Sequence, residues 1–199
     1  MTVEPSRRER KKDETRTRIF RSAIELFRER GFENTTVDEI TERADVAKGT
    51  FFNYFPRKEA VLGYLSESRL AAIEETAGLK LAASGAVREK LLDLYALAAT
   101  AYEEDHALSR YVLLELMARA FAPTEEAAIR RHELVVAIIR QGQENGELRR
   151  DVDPTRIEAL LTGTYYATLY TWVCCLPEEF ALRDEMRARL ELAMEGVAV

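Results

Sequence analysis

Within seven residues, Lys48 to Tyr54, the chain assembles an ammonium, an uncovered backbone, a hydroxyl, two phenyl rings, an amide and a phenol. Most of these groups have a natural partner on duplex DNA. Lys48 suits a phosphate or a base edge, and Thr50 can donate to phosphate or touch a thymine methyl. Asn53 can pair bidentately with an adenine edge, Tyr54 offers phosphate a hydroxyl, and Phe52 offers apolar contact alone. Gly49 costs a helix about 1 kcal/mol relative to alanine, a cost that close approach of a DNA backbone would explain. Phe51 and Phe55 lie four apart and are expected to face inward as core.

These groups reach bases only if a rigid element carries them. Ile19, Ala23, Leu26 and Phe27 fall at helical spacing, and Gly31 is expected to end that helix in a left-handed conformation. Thr36-Val37-Asp38-Glu39 forms a capping box for a second, short helix, with Val37, Ile40, Ala44 and Val46 inward. The third helix is expected from about Ala47 to Phe55, where Pro56 stops it, and a longer one from Lys58 to about Glu75. Two short helices joined by a tight turn are the usual means of placing a helix in the major groove. Thr36 has a second possible role as a phosphate donor, and Lys58 combines an ammonium with a helix start, which also suits phosphate.

The 199 residues carry a net charge of −6, unevenly spread. Residues 1–60 hold 14 Lys+Arg against 12 Asp+Glu, and the remainder 15 against 23. A slightly basic head on an acidic body fits nucleic-acid contact through the head only. Residues 1–14 lack apolar periodicity and carry Arg7, Arg8, Arg10, Lys11 and Lys12, which reads as a flexible basic arm.

Every later segment looks helical, at about 86–104, 107–121, 124–145, 154–176 and 178–195. Asn145-Gly146 ends one helix, Asp153-Pro154 caps another, and residues 82–86 read as an inter-domain joint. The expected fold is all-α: an arm at 1–14, a three-helix head at 15–62, and a larger helical body at 63–199.

The head resembles that of the TetR family of bacterial transcriptional regulators. The matching residues are Ile24-Glu25-Leu26-Phe27, Arg30-Gly31-Phe32, Thr35-Thr36-Val37 with Ile40, Val46 through Phe55, and Lys58-Glu59. Asn145 to Arg149 with Asp151 to Pro154 adds a weaker likeness, to the joint before the last two helices. Two positions depart from the pattern. Phe52 stands where relatives commonly have tyrosine, and Ala47 where they often have serine. Alanine cannot cap, which costs about 1 kcal/mol, and Asp45 is the alternative cap two residues earlier. The resemblance implies a homodimer on a palindromic double-stranded DNA operator, with the last two helices paired in a four-helix bundle. It also implies a small-molecule effector that releases DNA, and repression as the default.

The body holds more aromatic surface than a minimal bundle requires. Tyr95, Tyr102, Tyr111, Met117, Phe121, Tyr165, Tyr166, Leu169 and Trp172 are the candidate pocket residues for a hydrophobic or aromatic effector. Ala159 to Pro177 carries no charge and, with Phe180, Met186, Leu190 and Ala193, reads as the dimer surface. Four threonines and Gly163 argue against a membrane span there. Cys174-Cys175, the only cysteines, read as buried small hydrophobes, and a charged N-terminus without a leader pattern points to the cytoplasm.

No catalytic, cofactor or metal constellation is expected. Glu103-x-x-His106 is half of a di-iron motif, but His132 has Ile129 at the matching position. Phosphate loops and nucleophile elbows are missing from the sequence. The rival to a ligand-switched regulator is an architectural DNA-binding or helical protein-interaction protein without a switch.

Overall fold

Ser6 and Glu9 start the chain's first helix by themselves. The Ser6 hydroxyl accepts from the Glu9 amide at 3.2 Å, and the Glu9 carboxylate accepts from the Ser6 amide at 2.6 Å. In the computed structural model α1 therefore spans Arg7–Arg30, eight residues longer at its start than apolar periodicity predicts. The first two turns pack no apolar face, so only the cap and the helix-forming arginine, lysine and glutamate side chains mark them. Residues 7–14, expected as a flexible arm, belong to this helix. The structure describes residues 6–82, 84–103, 105–120, 126–174 and 180–198, with side chains throughout except at 70, 77, 107, 116–120, 126–128, 130, 131 and 174.

Among these residues the elements are all helical: α2 (Val37–Arg43), α3 (Lys48–Tyr54), α4 (Glu59–Ala82), α5 (Val87–Glu103), α6 (His106–Ala120), α7 (Glu126–Glu144), α8 (Pro154–Cys174) and α9 (Leu182–Glu195). The chain divides into a head, Met1–Leu65, and a body, Ser66–Val199. That division falls within α4, so residues 82–86, expected as the inter-domain joint, are instead the α4–α5 connection inside the body. No helix among the described residues is long and apolar enough to cross a membrane.

In the head, Ile19, Ala23, Ile40, Ala44 and Phe51 are fully buried. Thr35 is buried with its hydroxyl donating to the carbonyls of Gly31 and Leu26 at 2.9 and 3.3 Å. Gly31 has φ 83° and ψ 152°, a region open to glycine but distinct from the left-handed helical well expected for it. Arg43 clamps Glu29 with two hydrogen bonds of 2.7 and 2.8 Å, tying α2 to α1.

The α2–α3 turn answers the question left by Ala47. Val46 N–H donates to Thr41 and Asp45 N–H to Glu42, a Schellman ending in which Asp45 takes the left-handed position at φ 48°. Asp45 thus ends α2 and does not cap α3. Ala47 is the N-cap residue of α3 and supplies no side-chain hydrogen bond.

In the body, α9 packs on α5 and α8, while α7 packs on α5 and α8. The loop from Asn145 to Asp153 ties these together. Gly146, at φ 78°, closes α7 through Glu147 N–H to Gly142. The Glu147 carboxylate accepts from Val87 N–H at 2.6 Å, at the start of α5. Asp153 accepts from Thr155 N–H at 2.8 Å as the cap of α8, and the Thr155 hydroxyl and then its amide hold the Asp153 carboxyl below its usual pKa. Gly142 sits where α7 meets the loop; a Cβ there would lie 2.8 Å from both Leu148 and Val87 side-chain carbons.

One expectation about α9 needs correction. Met186 and Leu190 are fully buried within the protomer, so they are core and not dimer surface. Their stripe is consumed by α5 and α8, and the large apolar side chain that α9 leaves exposed is Leu192, at 70%.

Candidate nucleic-acid interface

The seven residues of α3 divide cleanly by side. Successive residues advance by about 100° around a helix, so the side opposite Phe51 belongs to Gly49 and Asn53. Phe51 is 0% exposed, stacked edge-on with Phe52 at 5.4 Å and tilted against Phe55 at 5.8 Å. Lys48, Gly49, Phe52 and Asn53 are exposed, with Thr50 and Tyr54 half-buried along the flank. The structure thus gathers six of the eight predicted DNA-face residues on one outward surface. Phe52 touches Phe51 with one edge and leaves 46% of its surface exposed on this side.

Gly49 has open space around it: a Cβ would meet nothing within 4 Å. No neighbouring atom within the described structure requires glycine here. Gly49→Ala is therefore expected to stabilise the head slightly, by up to about 1 kcal/mol, while weakening DNA binding. Thermal unfolding and duplex titration on the same variant separate the two effects.

Lys48 is not idle in the free protein. Its Nζ lies 2.7 and 3.0 Å from the two oxygens of Asp38 on α2. Any phosphate must compete for it. Asp38→Asn, which frees the ammonium and removes a carboxylate beside the DNA path, is expected to tighten duplex binding roughly two- to fivefold, the scale of an exposed pair. A titration at fixed salt measures it. Lys48 stands out in the sequence, whereas its partner Asp38, ten residues earlier across the turn, becomes visible only in the structure.

Thr36 and Lys58 behave differently from the other six. The Thr36 hydroxyl accepts from Glu39 N–H at 3.3 Å and donates to the Glu39 carboxylate at 2.9 Å. The Thr36 amide, then its hydroxyl, hold the Glu39 carboxyl below its usual pKa. Lys58 donates to the carbonyls of Phe32 and Thr35 at 2.7 and 2.9 Å and sits 4.3 Å from the Phe32 ring centroid. Two of its three N–H donors are committed to holding the α1–α2 turn, leaving one for a phosphate.

Behind α3, Arg16 lies with its guanidinium 4.0 Å from the Tyr64 ring centroid and 5.8 Å from that of Phe55. Glu9, Lys12, Asp13 and Arg16 of α1 line a groove with Asn53 and Tyr54. Of the α1 residues in this set the sequence marks Lys12, as part of the expected basic arm, while the groove itself depends on how α1 meets α3.

The candidate pocket residues fall on three helices of the body. Tyr95 and Tyr102 of α5, Tyr165, Leu169 and Trp172 of α8 are buried, while Tyr111 of α6 and Tyr166 of α8 are half-buried. Tyr95, Tyr165 and Tyr166 form a continuous array, with ring centroids 5.6 and 5.2 Å apart. The Tyr95 hydroxyl shares a 3.0 Å hydrogen bond with Thr162, whose hydroxyl donates to Glu158 at 2.8 Å. Trp172 meets His106 edge-on at 4.3 Å, and Tyr102 carries the Arg69 guanidinium 5.4 Å from its ring. The side chain of Met117, all of Phe121 and the side chains of Cys174-Cys175 lie outside the described residues.

Comparison with known proteins decides the assignment. The family model described as "TetR/AcrR family transcriptional repressors, C-terminal domain" matches residues 68–196, and "Bacterial regulatory proteins, tetR family" matches residues 19–65. This chain belongs to the TetR family. It is a helix-turn-helix DNA-binding regulator of transcription of the repressor type, with a DNA-binding head and a larger helical body. A TetR-family repressor from Thermus thermophilus, FadR, crystallised with lauroyl-CoA, is 33% identical over 92% of this chain and 95% of its own, with a TM-score of 0.70. The fatty acid metabolism regulator protein of Bacillus subtilis is 25% identical over 90% of this chain and 93% of its own. The regulator TcmR of Streptomyces glaucescens is 42% identical across a shorter stretch, 35% of this chain and 33% of its own.

Proposed function

We propose that two copies of this chain hold a palindromic operator through paired α3 helices and release it when a long-chain acyl thioester enters the body. The observation that carries the DNA half is the division of α3: Phe51 and Phe55 buried, and Gly49, Phe52 and Asn53 turned outward. Lys48, Thr50, Tyr54 and the remaining donor of Lys58 contact phosphates, and Asn53 reads a base edge. Thr36 acts first as the cap of α2.

Dimerisation uses the outward side of α8 and α9. Leu160, Tyr170 and Leu192 are 45%, 56% and 70% exposed, and α8 and α9 also expose the small residues Ala159, Gly163, Ala167 and Ala188. Large exposed apolar side chains accompanied by small ones give a surface that a second copy can approach closely.

The effector class is supported by the Thermus thermophilus relative, which holds lauroyl-CoA. Tyr95, Tyr102, Tyr111, Met117, Phe121, Tyr165, Tyr166, Leu169 and Trp172 are the residues proposed to line its path. An apolar effector is supported by Leu91, Leu94 and Leu169, which are buried in the same body as the tyrosine array, beside the polar chain from Tyr95 through Thr162 to Glu158. Binding in the body and release from DNA must be reciprocal, because each ligand shifts the other's affinity by one factor.

The test uses the full chain, a selected operator duplex, and a series of acyl-CoAs with free CoA as control. A C12 to C18 acyl-CoA is expected to raise the melting temperature and weaken operator binding at least tenfold, and free CoA to do neither. Stabilisation with unchanged operator affinity would break the coupling. No effect at any chain length would remove the effector class while leaving the DNA assignment standing.

A further inference from the structure

We infer that His106 is the polar anchor of the effector site, its Nε2 hydrogen-bonding the carbonyl oxygen of an acyl thioester whose chain lies among the body's aromatic rings. This deepens, and rests on, the proposal that an acyl thioester enters the body.

The sequence places Glu103 and His106 at a spacing that suggests shared chemistry, and the fold takes the pair apart. The Glu103 carboxylate accepts from Arg183 N–H at 3.1 Å, satisfying an amide in the first turn of α9. His106, the first residue of α6, has a different neighbour: its ring meets the buried Trp172 of α8 edge-on, with centroids 4.3 Å apart. Ser109 pins this corner to the end of α5. Its hydroxyl is shared between the carbonyls of Tyr102 and Asp105, at 2.7 and 2.8 Å.

Nε2 of His106 is closed off from solvent and, among the described residues, has no hydrogen-bond partner. A buried imidazole nitrogen left this way weakens the fold unless something else satisfies it. An oxygen brought in by a ligand would do so.

Position and surroundings select that oxygen. Trp172 and Tyr102, both proposed above to line the effector's path, are 5% and 4% exposed, whereas the imidazole is half-buried. His106 thus spans the boundary between interior and solvent. In an acyl thioester the carbonyl stands at the same boundary: the alkyl chain on one side belongs inside, and the CoA on the other belongs in water. Both signs of charge are present at this corner, with the Arg69 guanidinium 5.4 Å from the Tyr102 ring and Asp105 buried beside His106 in sequence. Neither sign prevails, so a neutral hydrogen-bonding atom fits better than an ion. With its proton on Nε2, the imidazole donates to such a carbonyl.

The experiment compares lauroyl-CoA and palmitoyl-CoA with their S-dodecyl and S-hexadecyl thioether counterparts, which keep chain and CoA but lack the carbonyl. Calorimetric titration of the full-length chain gives the affinity ratio within each pair. Wild-type protein is expected to favour the thioester roughly three- to tenfold, the scale of one neutral hydrogen bond. His106→Phe, which keeps the aromatic shape, and His106→Leu should each bring the ratio close to one by weakening thioester binding. His106→Gln, whose amide offers a donor at similar reach, should retain part of the preference.

Equal wild-type affinity for thioester and thioether overturns the anchor and leaves the effector class standing. So does a ratio that survives the carbon substitutions while both affinities fall together, which would make His106 a structural residue. Failure of wild-type protein to bind any member of the series removes the effector class and the anchor with it.

Discussion

Phe51→Ala is expected to unfold the head while leaving the body folded. Phe51 is 0% exposed and touches Phe52 and Phe55, so truncation leaves a cavity the ring contacts cannot fill. A buried phenylalanine of this kind contributes about 3–5 kcal/mol. A unit of the size Met1–Leu65 has in total roughly 3–10 kcal/mol to lose, so the change is comparable with all of it. Hydrogen exchange on the full-length chain reads the outcome by segment. Amides of α1, α2 and α3 should approach unprotected rates, while those of α5, α8 and α9 keep their protection. Phe52→Ala, at the adjacent residue but 46% exposed, should leave head exchange unchanged and weaken DNA binding. Equal effects of the two substitutions would mean that the division of α3 into inner and outer sides is wrong.

Asn53→Ala is expected to give the largest loss of discrimination on DNA. Asn53 is exposed directly opposite Phe51, and an amide can satisfy both hydrogen-bonding positions of an adenine edge. One such pair is worth about 1–3 kcal/mol against the wrong base. Two subunits on a palindrome double it, so operator affinity should fall by roughly two to four orders of magnitude at the upper part of that range. Affinity for random duplex should barely move, because phosphate contacts supply it. The salt slope should stay as it was. A slope that fell with Asn53→Ala would reassign the residue to the backbone.

The fold was legible where punctuation is chemical. Thr36 with Glu39, Asn145-Gly146 and Asp153-Pro154 each mark a helix end by the bond they make, and the structure uses each as expected. What escaped was geometry that a linear pattern does not carry. Ser6 with Glu9 starts α1 without any apolar repeat, so apolar periodicity marks the helix only eight residues after its true start. Met186 and Leu190 have the right spacing for an interface, but spacing does not say which neighbour takes the stripe, and α5 takes it. Asp45 has the side chain of a cap, yet its backbone enters the left-handed region one turn element early.

The candidate DNA surface was legible for the same kind of reason. Six exposed or half-exposed residues on a seven-residue helix are given by a period of 3.6, once Phe51 and Phe55 are recognised as the inner pair. The Asp38–Lys48 pair and the Arg16 stack on Tyr64 were not, since both depend on how separate helices meet. In the body, aromatic content pointed to α5, α6 and α8 without fixing which rings would touch. The tyrosine array of Tyr95, Tyr165 and Tyr166 emerges only from the packing.

The central claim, that the outward side of α3 reads duplex bases in a symmetric pair, has a direct measurement: selection of binding sites from random duplexes by the full-length protein and by Asn53→Ala. Wild-type protein should enrich a palindrome whose half-sites lie about 10–10.5 base pairs apart or a multiple of that, with Asn53→Ala losing preference at one position and its symmetry mate. Enrichment of no palindrome, or identical preferences from both proteins, would contradict the account.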